Sequence, residues 1–203
     1  MGGPLELRRF GRILSESMNA PHAMTSSDVP ATSDASEGDS SEPPSSDPHP
    51  VINDRTGALD HAERELLEDA LRRLLEEIGA PCHRCVVEVV DDSRMSLLHE
   101  RWKGDPTPTD VLSFPMSTPE EPIDVDIAIC LPEAQRRSRE LGHDRLRELL
   151  LYALHGILHV LGHDDHEPSD FARMHAEEDR LLERIGLGRV FDAGSSAGGE
   201  PRP

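Results

Sequence analysis

Aromatic residues, cysteines and lysines are scarce in this chain of 203 residues. Phe, Trp and Tyr make up only 3% of the sequence, so the hydrophobic core has to be built mainly from Leu, Val, Ile and Ala. No apolar run approaches the roughly 20 residues that a membrane-spanning helix needs. The N-terminal residues lack the apolar segment of a secretory signal. Three cysteines do not make a disulfide framework, and we expect a cytoplasmic protein.

Positive charge is also in short supply. The chain has 40 acidic and 21 basic residues, which gives a net charge of −19 at pH 7. Residues 51–191 hold 30 of the acidic and 17 of the basic residues. A domain with this balance does not attract nucleic acid by general electrostatics, because that attraction depends on clustered Lys and Arg. We therefore expect neither DNA nor a membrane surface as a partner.

Two terminal segments differ in composition from the centre of the chain. Residues 19–50 are rich in Ser, Pro, Asp and Glu and contain almost no large apolar side chain. Such a segment cannot bury enough surface to offset the entropy lost on ordering. The last dozen residues have the same character. The sequence predicts a disordered extension over residues 1–50, one domain over residues 51–191 and a disordered tail over residues 192–203.

Helical and strand patterns alternate within the central domain. Apolar residues at helical spacing predict helices over residues 60–78, 93–103, 132–141, 144–161 and 169–185. Apolar and β-branched runs predict strands over residues 85–90, 111–115 and 126–131. Expected caps are Asp92 or Ser93 for the second helix and Ser169 or Asp170 for the last. The fold class is therefore α+β, a single domain with a small mixed β-sheet packed with several helices.

The helix over residues 144–161 carries two histidines, His155 and His159, four positions apart. This spacing places both imidazoles on one helical face, one turn apart, so that they can bind the same ion. It is the ligand pair of many helical zinc sites. The helix is otherwise strongly apolar, and two buried histidines are costly unless each has a partner. A metal ion is therefore favoured over a pair of surface or hydrogen-bonded core histidines.

A third ligand is expected from the segment that follows Gly162, which ends the helix and lets the chain turn back. The zincin-like pattern H-x-x-x-H-x-x-G-x-x-H puts that ligand ten residues after the first histidine, at Asp165. His166 is the second choice, and His163 is left open as well. Two histidines, one carboxylate and a water suit zinc with an open catalytic position.

The residue after the first histidine argues against a peptidase. Metalloproteases of this pattern have a glutamate there, which acts as the general base. In this chain the position is Gly156. The sequence therefore argues against a peptidase.

Two motifs together resemble the YbeY family of endoribonucleases, also called rRNA maturation factors. They are HGILHVLGHDDH, at residues 155–166, and PTDVLSFP, at residues 108–115, and their order and spacing match the family. The segment that begins at Asp126 also resembles the family's Gly-Asp-Ile-Val-Ile strand, with Val125 in place of the glycine. The resemblance covers about residues 50–190.

The resemblance implies a bacterial, cytosolic, single-strand-specific endoribonuclease with one Zn²⁺ per chain. It implies action in maturation of the 3′ end of small-subunit ribosomal RNA and in ribosome quality control, with the ribosome or a ribosomal protein as a partner. The family's metal positions fall on His155, His159 and Asp165, where most members have His at the third position and some have Asp. Because the domain is acidic, we expect a partner to provide more specificity than RNA affinity does.

Lys103 is the only lysine in the chain, and it stands before Gly104 where the family has a basic residue, usually Arg. It keeps the positive charge but lacks the bidentate fork that Arg offers a phosphate. The expected catalytic residues are Lys103, which would neutralise charge developing on the phosphate, and His155, which would hold the ion. The general base is left open among His163, Asp164 and His166, and metal-activated water or the 2′-OH of the RNA could serve as nucleophile.

Two other functions remain alternatives: a metal-dependent hydrolase of another substrate, and a non-catalytic assembly factor that uses the ion as a structural staple. The remaining features favour structural interpretations. Cys82 and Cys85 have C-x-x-C spacing but precede a strand, unlike a redox motif that opens a helix. His175 is expected to be structural or on the surface. The acidic side of the last helix is expected to be exposed, with Glu177, Glu178, Asp179 and Glu183 as its members.

Overall fold

A computed structural model of the chain describes residues 50–190, which form four strands and five α-helices. The strands are β1 (Val51–Asp54), β2 (Cys82–Val90), β3 (Val111–Pro115) and β4 (Ile123–Cys130). The helices are α1 (His61–Ile78), α2 (Asp92–Lys103), α3 (Leu131–Leu141), α4 (Arg145–Val160) and α5 (Pro168–Arg184). The predicted α+β class is confirmed. The predicted disordered ends lie outside the described residues, apart from Pro50, and stay predictions.

The four strands form one mixed sheet in the order β1-β2-β4-β3. The β1–β2 and β2–β4 pairs are parallel, and β3 is antiparallel to β4 at the edge. Alternate side chains of a strand point to opposite faces, and the side chains of Val87, Val89, Ile127 and Ile129 all enter the main core. Helices α1 and α4 pack on that face, and α4 lies across β3 and β4. None of the described helices is long and apolar enough to cross a membrane.

Helix α4 is the most deeply buried of the described helices, and a glycine sets how closely it approaches the sheet. A Cβ built at Gly156 would lie 2.6 Å from the Ser113 Oγ and 3.3 Å from side-chain carbons of Ile127. Residue 156 therefore faces β3 and β4 and has no room for a larger side chain. This packing gives a physical reason for the missing protease glutamate: a glutamate at this position would have to displace the side chains of Ser113 and Ile127.

Several predicted boundaries need correction. Helix α2 begins at Asp92, and its cap is Asp91, whose carboxylate accepts from the Arg94 N–H at 2.7 Å, so the predicted caps Asp92 and Ser93 were wrong. The N-cap position of α5 is Glu167, which makes no side-chain capping bond; Pro168 follows it in the first turn. The predicted caps Ser169 and Asp170 lie inside the helix instead. Strand β2 begins at Cys82, three residues earlier than predicted, so both cysteines of the C-x-x-C pair lie within the strand.

Candidate metal centre

The two histidines of α4 bring their Nε2 atoms to one point. The Nε2 atoms of His155 and His159 lie 3.0 Å apart, and the rings meet edge to face with an angle of 85° between their planes. Both side chains are partly buried. The two histidines lie on the last two turns of α4. The apolar face of α4 is packed into the core, and the histidines lie on the other face.

Asp165 reaches the same point from the turn after the helix. The turn is made by Gly162, which has φ of +90°, in the left-handed region that favours glycine. The Oδ2 of Asp165 lies 3.6 Å from the Nε2 of His155, and its other oxygen, Oδ1, lies 3.8 Å from the Nε2 of His159. Two ligand atoms of a tetrahedral zinc ion lie about 3.3 Å apart. The three donor groups therefore form a triangle in which one ligand atom of each residue lies within 4.8 Å of the others, and their chemistry, two imidazoles and a carboxylate, fits a zinc ion.

The other two candidates for the third ligand are placed differently. The His166 side chain is 83% exposed, and its Nδ1 contacts Asp164 and lies 3.8 Å from an Asp165 oxygen. His163 approaches the site through its backbone carbonyl, which lies 3.1 Å from the Nδ1 of His159. The structure thus brings Asp165 next to both α4 histidines, and leaves Asp164 and His166 together at the exposed rim.

The outer nitrogen of His155 contacts a buried carboxylate of α5. Glu178 is fully buried, with its Oε1 2.8 Å from the Nδ1 of His155 and its Oε2 2.6 Å from the Nδ1 of His175. Sequence reasoning missed this contact and placed Glu178 and Asp179 on an exposed face. That prediction was wrong, because this side of α5 turns inward and each carboxylate has a partner there; Asp179 accepts from the Val190 N–H at 2.6 Å.

The electrostatics around His155 favour positive charge. Burial of the ring opposes protonation, but the hydrogen bond and charge of Glu178, together with the charges of Asp165 and Asp110, outweigh it and raise the pKa of His155 above its ordinary value. The same surroundings that stabilise a proton also stabilise a cation bound at Nε2. At the rim, the contact with Asp164 raises the pKa of His166.

Lys103 lies on the same side of the molecule as the rim. It is the last residue of α2, it is exposed, and its positive charge opposes protonation of His166. The Pro/Thr loop that follows is tied back to α2, because the Nδ1 of His99 lies 2.7 Å from the carbonyl oxygen of Thr107. The structure therefore brings the predicted catalytic lysine within electrostatic range of His166, the residue that follows Asp165.

A cleft of about 860 Å³ opens directly from the triangle. It runs between α3, α4, α5 and the loop before β3, with His155 and Asp165 in its wall. Phe171 and Leu141 stand at its sides and are 50% and 54% exposed. Arg137 and Arg147 also line it. The cleft therefore brings together an aromatic ring, two of the candidate ligands and two arginines that already have partners, since Arg137 pairs with Glu140 and Arg147 donates to the carbonyls of Gly188 and Arg189.

These features define a small α+β domain with a candidate centre for a divalent ion beside an open cleft. A family model described as Endoribonuclease YbeY matches residues 52–186. The chain belongs to the YbeY family, as its two motifs predicted.

Two curated relatives agree with this family assignment. The Endoribonuclease YbeY of Micrococcus luteus is 38% identical over 148 residues, which cover 66% of this chain and 94% of that protein. The Endoribonuclease YbeY of Beutenbergia cavernae is 37% identical over 149 residues, which cover 68% of this chain and 97% of that protein. A solution structure of a protein from Thermotoga maritima is similar over 74% of this chain and 96% of that protein's chain, with 24% sequence identity and a TM-score of 0.49.

Proposed function

We propose that this protein is a metal-dependent endoribonuclease that cuts single-stranded RNA, with His155, His159 and Asp165 as the ligands of one zinc ion. The observation that carries the proposal is the cluster of three donor groups at the wall of an open cleft: the two Nε2 atoms lie 3.0 Å apart, and the nearest Asp165 oxygens lie 3.6 and 3.8 Å from them. Family membership supplies the substrate class. A structural staple would need a closed site, whereas this triangle borders the cleft and leaves a fourth position for water or substrate.

The residues around the triangle have separate tasks. When bound, a zinc ion supplies a Lewis acid that polarises a phosphoryl oxygen and lowers the pKa of water. The Nδ1–H groups of His155 and His159 donate to the Glu178 carboxylate and to the His163 carbonyl, which leaves each Nε2 lone pair free to act as a ligand. Lys103 stabilises negative charge that develops on the phosphate. Asp164 and His166 contact each other at the rim, where one of them can take the proton of the attacking group.

The cleft has features that suit single-stranded RNA, whereas the charge of the domain does not favour binding of nucleic acid in general. An unstacked base can lie against the exposed ring of Phe171, and such stacking is a common way to hold single-stranded RNA. Arg137 lines the cleft as well, paired with Glu140 at 2.8 Å, and adds a guanidinium near the proposed path of the RNA backbone. The chain as a whole nevertheless carries a net charge of −19, so its general attraction for RNA is weak. We therefore infer that a ribosomal partner brings the enzyme to its substrate, the 3′ end of small-subunit ribosomal RNA, in the cytoplasm.

Cleavage by the zinc-loaded protein tests the activity. A labelled single-stranded RNA and the same sequence in a duplex are incubated with wild type, His159→Ala and a control variant, His61→Ala. His61 is exposed on α1 and its ring contacts only Glu65 among the described ion pairs. We expect wild type and His61→Ala to cut the single strand and His159→Ala to lose at least about 100-fold in rate, since even outer partners of metal ligands are worth 10–100-fold.

The outcomes separate the alternatives. Equal cleavage by His159→Ala and wild type would reject the metal site as the catalytic centre. Zinc binding without any RNA cleavage would favour the staple, and hydrolysis of another phosphoester alone would favour a different substrate. The ribosomal proposal requires binding to the small subunit that changes little between about 50 and 200 mM salt. Strong, salt-dependent binding to arbitrary RNA contradicts it.

A further inference from the structure

We propose that Glu178 is a positioning residue of the metal centre: its buried carboxylate fixes the orientation and tautomer of His155, and His175 holds the carboxylate in place. The inference takes the identity of the metal ligands from the proposed function. Neither the two family motifs nor the pattern of α5 assigns Glu178 a part in the site.

The contact fixes which nitrogen of His155 carries the proton. Glu178 Oε1 lies 2.8 Å from the Nδ1 of His155, and an ionised carboxylate can only accept a hydrogen bond. The Nδ1 of His155 must therefore be the donor. In the neutral ring this leaves a lone pair on Nε2, the atom that lies 3.0 Å from the Nε2 of His159 and faces Asp165. The carboxylate thus selects the tautomer that a metal ligand needs.

Both oxygens of the carboxylate are used. Glu178 is 0% exposed, and burying an ionised carboxylate costs several kcal/mol unless its oxygens are hydrogen-bonded. The second oxygen lies 2.6 Å from the Nδ1 of His175, one turn earlier on α5. His175 in turn packs edge to face against Phe171, with ring centroids 4.0 Å apart. A carboxylate held from both sides has one orientation, and so does the ring of His155 that it contacts.

A purely structural role for Glu178 makes a different prediction. As a link between α4 and α5 only, it would affect the stability of the metal-free protein and leave zinc affinity unchanged. A carboxylate that orients a ligand and raises its basicity affects zinc affinity directly, typically by 10–100-fold. The two roles are separated by measuring zinc affinity and metal-free stability on the same variants.

The chain offers a matched control in the neighbouring residue. Glu177 lies on the same turn of α5, and its carboxylate binds Arg180 at the surface. We expect Glu178→Gln to bind zinc 10–100-fold more weakly than wild type in a competition titration against a chromophoric chelator. Glu177→Gln should stay within about twofold of wild type. Circular dichroism of the metal-free proteins checks that both variants are folded.

The tautomer is measured on the wild type and needs no variant. Nitrogen-15 spectra of the metal-free protein, recorded above the pKa of His155, should show its ring protonated at Nδ1 and not at Nε2. A ring protonated at Nε2 overturns the proposal, and so does a zinc affinity of folded Glu178→Gln within about twofold of wild type. Neither experiment uses RNA, so a wild type that binds zinc but cuts no RNA removes the proposed function and leaves this inference standing.

Discussion

The two histidines of α4 present their inner nitrogens to the same point, but their outer nitrogens are held in different ways. His159 is held locally, because its Nδ1 lies 3.1 Å from the carbonyl of His163 in the turn that ends the helix. His155 is held by tertiary structure, because its Nδ1 lies 2.8 Å from Glu178, 23 residues further along the chain. One partner is a neutral carbonyl and the other is a buried carboxylate.

This difference separates the tasks of the two ligands. A carbonyl fixes the tautomer of His159 but adds no full charge. The carboxylate fixes the tautomer of His155, raises its basicity and couples the site to the docking of α5 against α4. We call Glu178 the tertiary anchor, because it holds His155, and the His163 carbonyl the local anchor, because it holds His159. We expect loss of the tertiary anchor to weaken metal binding more than loss of the local anchor.

The largest effect should come from the carboxylate that the two histidines share. Asp165→Ala removes a carboxylate with one oxygen 3.6 Å from the Nε2 of His155 and the other 3.8 Å from the Nε2 of His159, so we expect zinc affinity to fall at least about 100-fold. His166→Ala is the comparison, since that side chain is 83% exposed and should change affinity by no more than about threefold. Chelator competition measures both. A larger loss in His166→Ala than in Asp165→Ala would show that His166, and not Asp165, is the third ligand.

The elements of the fold followed from sequence to different degrees. Periodicity predicted all five helices to within one residue at each end, because each has an apolar face and several end at a glycine such as Gly79 or Gly104. Strand β1 was missed. It has only four residues, and its pairing with β2 is the only signal that makes Val51–Asp54 a strand.

The sequence grouped the residues of the candidate site that are close along the chain and missed the one that is distant. His155, His159 and Asp165 lie within eleven consecutive residues, so helical spacing and one glycine turn were enough to group them. Nothing in the sequence connects His155 with Glu178. The run Glu177-Glu178-Asp179 resembles any solvated helix face, and only the packing of α5 on α4 turns two of its three carboxylates inward. Long-range contacts of this kind need the tertiary structure.

A smaller effect is expected at the turn that supplies the local anchor. Gly162 has φ of +90° and its Cβ position is open, with Pro119 the nearest side chain at 4.0 Å, so Gly162→Ala adds backbone strain and no clash. That strain costs about 1–2 kcal/mol. If the turn shifts, the His163 carbonyl leaves His159 and zinc affinity should fall about 3–10-fold, less than in Glu178→Gln.

Gly79→Ala is the matched control for this strain. Gly79 has φ of +70° at the end of α1 and also has an open Cβ position. Gly79→Ala should lower the melting temperature by about as much as Gly162→Ala does and leave zinc affinity unchanged. Equal losses of zinc affinity in the two glycine variants would mean that the effect comes from general destabilisation. A loss in Gly162→Ala greater than in Glu178→Gln would reverse the ranking of the two anchors.

The smallest effect is a pH dependence of the tertiary anchor in the metal-free protein. The pKa of His155 is raised above the ordinary 6.5, with burial opposing and Glu178 supplying most of the increase. A raised pKa in the folded state means that protonated His155 stabilises the fold fully below about pH 6.5, and that this contribution is lost as pH rises through the raised pKa. Glu178→Gln removes the negative charge, so the difference in melting temperature between wild type and variant should be a few degrees larger near pH 5.5 than near pH 8.5. A constant difference, or one that grows with pH, would show that Glu178 does not act on His155 through its charge.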